Sequence, residues 1–80
     1  MGTYSKEYII KAFGKNLYRT RKGKQISQEK LAALTGLEYS QIGRIERGII
    51  NTSIHNVFII AKALEIPPKD LFDFDFEETT

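Results

Sequence analysis

The chain has 80 residues, 12 Lys/Arg against 10 Asp/Glu for a net charge of +2, one histidine and no cysteine. That length holds one domain, and its core is small enough that burial by a partner subunit would help it. Disulfides and thiolate metal sites are excluded, the lone His55 has no carboxylate beside it to share a metal ion, and no cofactor or metal is expected. The sequence has no apolar run of membrane-spanning length and no leader pattern, so a cytoplasmic protein with no membrane partner is expected. The small net charge conceals an asymmetry. Residues 1–50 hold ten Lys/Arg and four Asp/Glu, a balance of +6, whereas residues 51–80 hold two and six, a balance of −4. One basic end suggests a polyanion docking on one side only.

Residues 5–22 carry apolar positions at helical spacing (Ile9 or Ile10, Phe13, Leu17), with Arg21 continuing the stripe. Ser5 is a cap candidate and Glu7 lies in the first turn. Gly14 falls mid-helix, where it costs roughly 1 kcal/mol against Ala, and reads as a point of close packing. Gly23, Lys24 and Gln25 end this helix.

Ser27 is the expected cap of a second helix running to about Thr35, with Lys30 where a capping box would place Glu. Gly36 supplies the turn. A third helix is predicted from about Tyr39 to Arg47, with Gly48 as its stop. Thr52 or Ser53 caps a fourth, reaching Leu64, with Ile54, Val57, Phe58, Ala61 and Leu64 expected on its inner face and Ile59 opposite. Pro67-Pro68 breaks the chain and opens a short fifth helix, from which Leu71 and Phe72 can pack back on the body. The acidic tail at 73–80 alternates with Phe74 and Phe76. The whole is an all-α, five-helix arrangement spanning 1–80 as one domain.

Residues 27–47 carry the sharpest signal. Ala32 is small where two helices must approach, Gly36 follows at the chain reversal, and Leu31, Leu37, Ile42 and Ile45 supply apolar contacts around it. This is the pattern of a helix-turn-helix, whose second helix enters the DNA major groove. Ile42 and Ile45 are expected to face the core. Tyr39, Ser40, Gln41, Gly43 and Arg44 are the candidates for base contact: Arg matches guanine O6 and N7, and Gln matches adenine N6 and N7. Arg47, Asn51, Thr52 and Ser53 form a polar cluster suited to phosphates, and Lys24 adds attraction.

Ile26-Ser-Gln-Glu-Lys-Leu-Ala, Ile42-Gly-Arg-Ile-Glu-Arg-Gly48 and the Ala-Lys-Ala-Leu run at 61–64 resemble the phage repressor/Cro-like (XRE) helix-turn-helix family. The short chain and Asn51-Thr-Ser53 are similar to its restriction–modification controller branch. The resemblance implies a lambda-repressor-like fold, and a dimer bound to a palindromic operator in double-stranded DNA. It places Gln28 on a phosphate, aided by free amides at the helix start. It also pairs Glu46 with Arg21 in a partly buried salt bridge. Two departures stand out: Glu38 occupies the recognition-helix cap, and Gly43 interrupts that helix.

A homodimer is expected through the last two helices, with Ile59, Ile66, Leu71 and Phe72 as apolar contacts. Without a second domain, no small-molecule effector is expected. The alternative is an antitoxin that regulates its own operon and grips a toxin through Phe72, Phe74 and Phe76. The sequence offers nothing for catalysis.

Overall fold

The computed structural model describes residues 4–76. Four α-helices follow in order: α1 (Lys6–Gly23), α2 (Gln28–Thr35), α3 (Tyr39–Glu46) and α4 (Ile54–Leu64). The fifth element, Pro68–Phe72, is a 3₁₀ helix rather than an α-helix. Pro67 precedes it, Pro68 is its first residue and Asp73 leaves helical geometry at its end, so it is one of the short pieces in which 3₁₀ helices occur. No strand occurs among the described residues.

Three serines start three of the helices. The Ser5 hydroxyl accepts from the Tyr8 amide at 3.2 Å, Ser27 from Lys30 at 3.0 Å, and Ser53 from Asn56 at 3.0 Å. Each satisfies an amide that a helix start leaves without a partner. Ser53 is therefore the cap of α4, and Thr52 instead accepts from the Asn56 side chain at 3.1 Å. Gly36 closes α2 in the left-handed region at φ 79°, its amide donating to Ala32. That conformation costs glycine nothing and lets the chain reverse within three residues before α3.

Phe13 and Leu17 of α1, Leu31 of α2, Ile42 and Ile45 of α3, and Val57, Ile60, Ala61 and Leu64 of α4 form the core with Leu71. Two expectations are corrected here. Leu71 is fully buried in the chain's own core, so it offers no surface to a second subunit. Ile54 and Phe58 were expected inside but stand 78% and 57% exposed. The inner stripe of α4 is set by Ile60, which packs inward and turns the 54–58 edge outward. Ile59 and Ile66 are half-buried, Ile66 against the core.

The chain after the 3₁₀ helix folds back along α1. Asn16 donates to the Asp70 carbonyl at 3.0 Å, and the Tyr8 hydroxyl donates to the Asp75 carbonyl at 2.8 Å. Phe13, Phe72, Phe74 and Phe76 form a tilted aromatic series with successive centroids 5.4, 6.5 and 5.2 Å apart. Phe74 packs against the core. The tail's Glu77 and Glu78 lie outside the described residues.

Gly14 is where α1 meets the end of α3. A Cβ at this position would meet the Ile45 carbonyl oxygen and lie 2.7 Å from that of Glu46. Backbone cannot yield as a side-chain tip can. Gly14→Ala should therefore lower stability by about 1–3 kcal/mol, against the gain of about 1 kcal/mol that Ala brings to an unobstructed helix. Urea unfolding monitored by circular dichroism measures the sign.

Candidate nucleic-acid interface

The site is built on a buried ion pair. Arg21 Nε donates to Glu46 Oε2 at 2.6 Å and Arg21 Nη2 to Glu46 Oε1 at 3.0 Å, a two-pronged contact between α1 and α3. The two side chains are only 6% and 3% exposed. A third guanidinium nitrogen, Nη1, donates to the Ile26 carbonyl at 2.9 Å, tying in the loop before α2. Gln28 Nε2 donates to Glu46 Oε1 at 2.8 Å from the first residue of α2. Arg21 thus joins α1 to α3 and to the α1–α2 loop, while Glu46 joins α3 to both α1 and α2. Among the described residues no buried side-chain polar atom lacks a partner.

The hydrogen bond that Arg21 donates to Glu46 raises the Arg21 pKa above its usual value, outweighing burial, which acts the other way. While the ion pair stands, the stability this shift represents is in place below the unfolded guanidinium range and is lost as pH rises through the raised value, far into alkali. Arg21 is a fixed charge over the range in which proteins are handled.

The expected Arg21–Glu46 pair is present, and it is more deeply buried than the sequence suggested. Gln28, expected on a phosphate, spends one amide hydrogen on Glu46. Its second hydrogen is directed by the same anchored amide, so holding Glu46 and donating outward are compatible.

On the outer side of α3, Tyr39, Ser40 and Arg44 are exposed and Gln41 is half-buried. Ile42 and Ile45 are buried beneath them. Gly43 departs from its expected role as an open point of backbone contact with a base. It is buried, and the atoms facing it are those of the Arg47 guanidinium, with Nη1 3.0 Å from where a Cβ would stand. Glu38 caps α3 without a side-chain hydrogen bond. Its carboxylate contributes through the favourable sign of its charge at the helix start.

Arg47, Asn51 and Ser53 are exposed and Thr52 is half-buried. The hydroxyls of Thr52 and Ser53 act as acceptors within the chain, which leaves their O–H donors for an anion. Lys24 is exposed just beyond α1. Lys22, Gln25, Ser27, Gln28 and Tyr39 line a polar groove between the start of α2 and the start of α3.

Residues 17–71 match the helix-turn-helix family HTH_3. The chain belongs to this helix-turn-helix family. Its members are DNA-binding transcription regulators and not enzymes. The chain is 46% identical over 63 residues to the control protein C.BamHI of Bacillus amyloliquefaciens, covering 78% of each chain. Among solved structures it is similar to the restriction–modification controller protein C.AhdI of Aeromonas hydrophila, with 44% identity, a TM-score of 0.77, and coverage of 79% of this chain and 96% of that one. A helix-turn-helix transcriptional regulator from Vibrio cholerae superposes with a TM-score of 0.81 at 28% identity, covering 85% of this chain and 38% of its own. No helix among the described residues is long and apolar enough to cross a membrane.

The ion pair yields a prediction within this helix-turn-helix scaffold. Arg21→Ala or Glu46→Ala alone should cost about 3–5 kcal/mol, because each strands a buried charge. The double substitution Arg21→Met with Glu46→Leu should cost far less than the two single losses added. Equilibrium unfolding of the three variants in urea provides the comparison.

Proposed function

We propose that this chain is a restriction–modification controller protein that binds a palindromic operator in double-stranded DNA as a homodimer, in the cytoplasm, with α3 in the major groove. One observation carries the reading. The outer face of α3 presents Tyr39, Ser40 and Arg44, while the carboxylate that would repel phosphates, Glu46, is turned inward and paired with Arg21. Similarity to C.BamHI and C.AhdI supports the narrower assignment to controllers. Phosphate contacts come from Gln28, Arg47, Asn51, Thr52, Ser53 and Lys24, and base contacts from Tyr39, Ser40, Gln41 and Arg44.

The test is selection of bound duplexes from a random pool. The expected product is a palindrome, with half-sites spaced for two recognition helices. Arg44→Ala should cost roughly 1–3 kcal/mol on the selected site and relax preference at one base pair in each half. Affinity should fall steeply with salt. A selection that returns no enriched sequence overturns the reading.

Ile54 and Phe58 on α4 are the apolar residues best placed to join two copies. Ile54 lines an apolar groove with Ile9, Ile10, Ile50 and Phe72, Phe72 is 40% exposed, and Phe58 is 57% exposed one turn along α4 from Ile54. This patch retains Phe72 from the expected interface and drops Leu71, which is buried, with Ile59 and Ile66 half-buried. Sedimentation should show a dimer for the native chain and a monomer for Phe58→Lys, with thermal stability of the monomer fold little changed. A native chain that sediments as a monomer at high concentration overturns the dimer.

A further inference from the structure

Gly43 poses a question that the helix-turn-helix pattern leaves unanswered. A glycine in a helix interior costs about 1 kcal/mol against Ala, and in an eight-residue helix that cost is not diluted. The position is not one where backbone needs special angles, since Gly43 is an ordinary helical residue and, among the described residues, only Gly36 and Gly48 are glycines with positive φ. Nor does another helix press on it. The neighbours of a Cβ built there are three atoms of one side chain: Arg47 Nη1 at 3.0 Å, Cζ at 3.8 Å and Nη2 at 4.0 Å.

Tyr39, Gly43 and Arg47 stand four residues apart along α3 and its cap, so they form one row along the flank of the helix, between its buried and its exposed sides. Side chains on a helix lean back over the preceding turn. Arg47 does so, and its planar head lies over the gap that glycine leaves. Gly43 is buried, with that head against it, while Tyr39 and Arg47 on either side of it in the row are exposed.

We propose that Gly43 is a positioning residue for Arg47: the missing side chain is a seat that holds the guanidinium back along α3, where it meets a DNA phosphate at the groove edge. Without the seat the head stands off the helix and must be ordered anew when DNA binds. With it, part of the side-chain entropy is lost before binding rather than during it. The inference rests on the reading of α3 as the groove-entering helix.

A double-mutant cycle on DNA binding tests it, using Gly43→Ala, Arg47→Ala and the pair, each on the operator selected by the native chain. Gly43→Ala is a safe probe of the fold, because the only crowded atom is the tip of a flexible side chain and Ala favours helix. Its thermal midpoint should equal or exceed the native one. Arg47→Ala should weaken binding on the order of tenfold, as loss of one charged hydrogen bond does, on operator and unrelated duplex alike, and lower the salt slope by about 1. Gly43→Ala should weaken binding with the salt slope retained. The double variant should bind no more weakly than Arg47→Ala alone. Native affinity in Gly43→Ala, or losses that simply add, overturns the seat while leaving DNA recognition standing. A loss confined to one base pair in Arg47→Ala overturns the phosphate contact. Failure of the native chain to select any duplex overturns the underlying reading and the seat with it.

Discussion

A helix that offers arginine to a phosphate lattice has to deal with any carboxylate at the same level. Glu46 is one residue past Ile45, within a turn of Arg44, and in water it would oppose the approach of a polyanion. In this chain it is folded behind α3 and matched by Arg21 at 2.6 Å, with Gln28 as a second donor. Burying two charges is expensive, and the return depends on geometry good enough to satisfy both. Four hydrogen bonds at the two side chains meet that condition. The stabilising and the functional consequences are the same event: the ion pair that fixes the angle between α1, α2 and α3 also removes the Glu46 carboxylate from the outer face of α3, the face proposed to meet DNA.

Gly14 makes this possible. The Arg21 head can reach Glu46 only if α1 lies against the end of α3, and a side chain at Gly14 would meet the backbone there. A second contact of the same kind occurs at Gly48, where a Cβ would stand 2.8 Å from the Lys11 Cα. Two glycines and one ion pair therefore set the spacing of α1 and α3, with the apolar core filling what remains.

The order of helices, their caps at Ser5 and Ser27, the left-handed Gly36 and the packing role of Gly14 were all legible in the sequence, because each is a local rule acting on a distinctive residue. The Arg21–Glu46 pair was legible only through the family resemblance, since 25 residues separate the partners. Three things were not legible. The inner face of α4 was misassigned because Ile54, Phe58 and Ile60 are all apolar, and periodicity alone does not choose between adjacent stripes of a helix rich in apolar residues. Leu71 was read both as packing back on the body and as a dimer contact, because a short segment after Pro67-Pro68 gives no period from which to infer which side packs inward. Gln28 was read only as a ligand for phosphate. The acceptor it finds within the chain is far away in sequence and depends on how three helices meet.

The residues that hold α3 in place and the residues it displays are different sets. Ile42, Ile45 and Glu46 are buried, while Tyr39, Ser40 and Arg44 stand outside. No side chain in the second group carries the packing of the first. Descendants of such a chain could therefore exchange their displayed residues and acquire a new target without having to rebuild the scaffold, so that divergence in what is recognised can outrun divergence in shape.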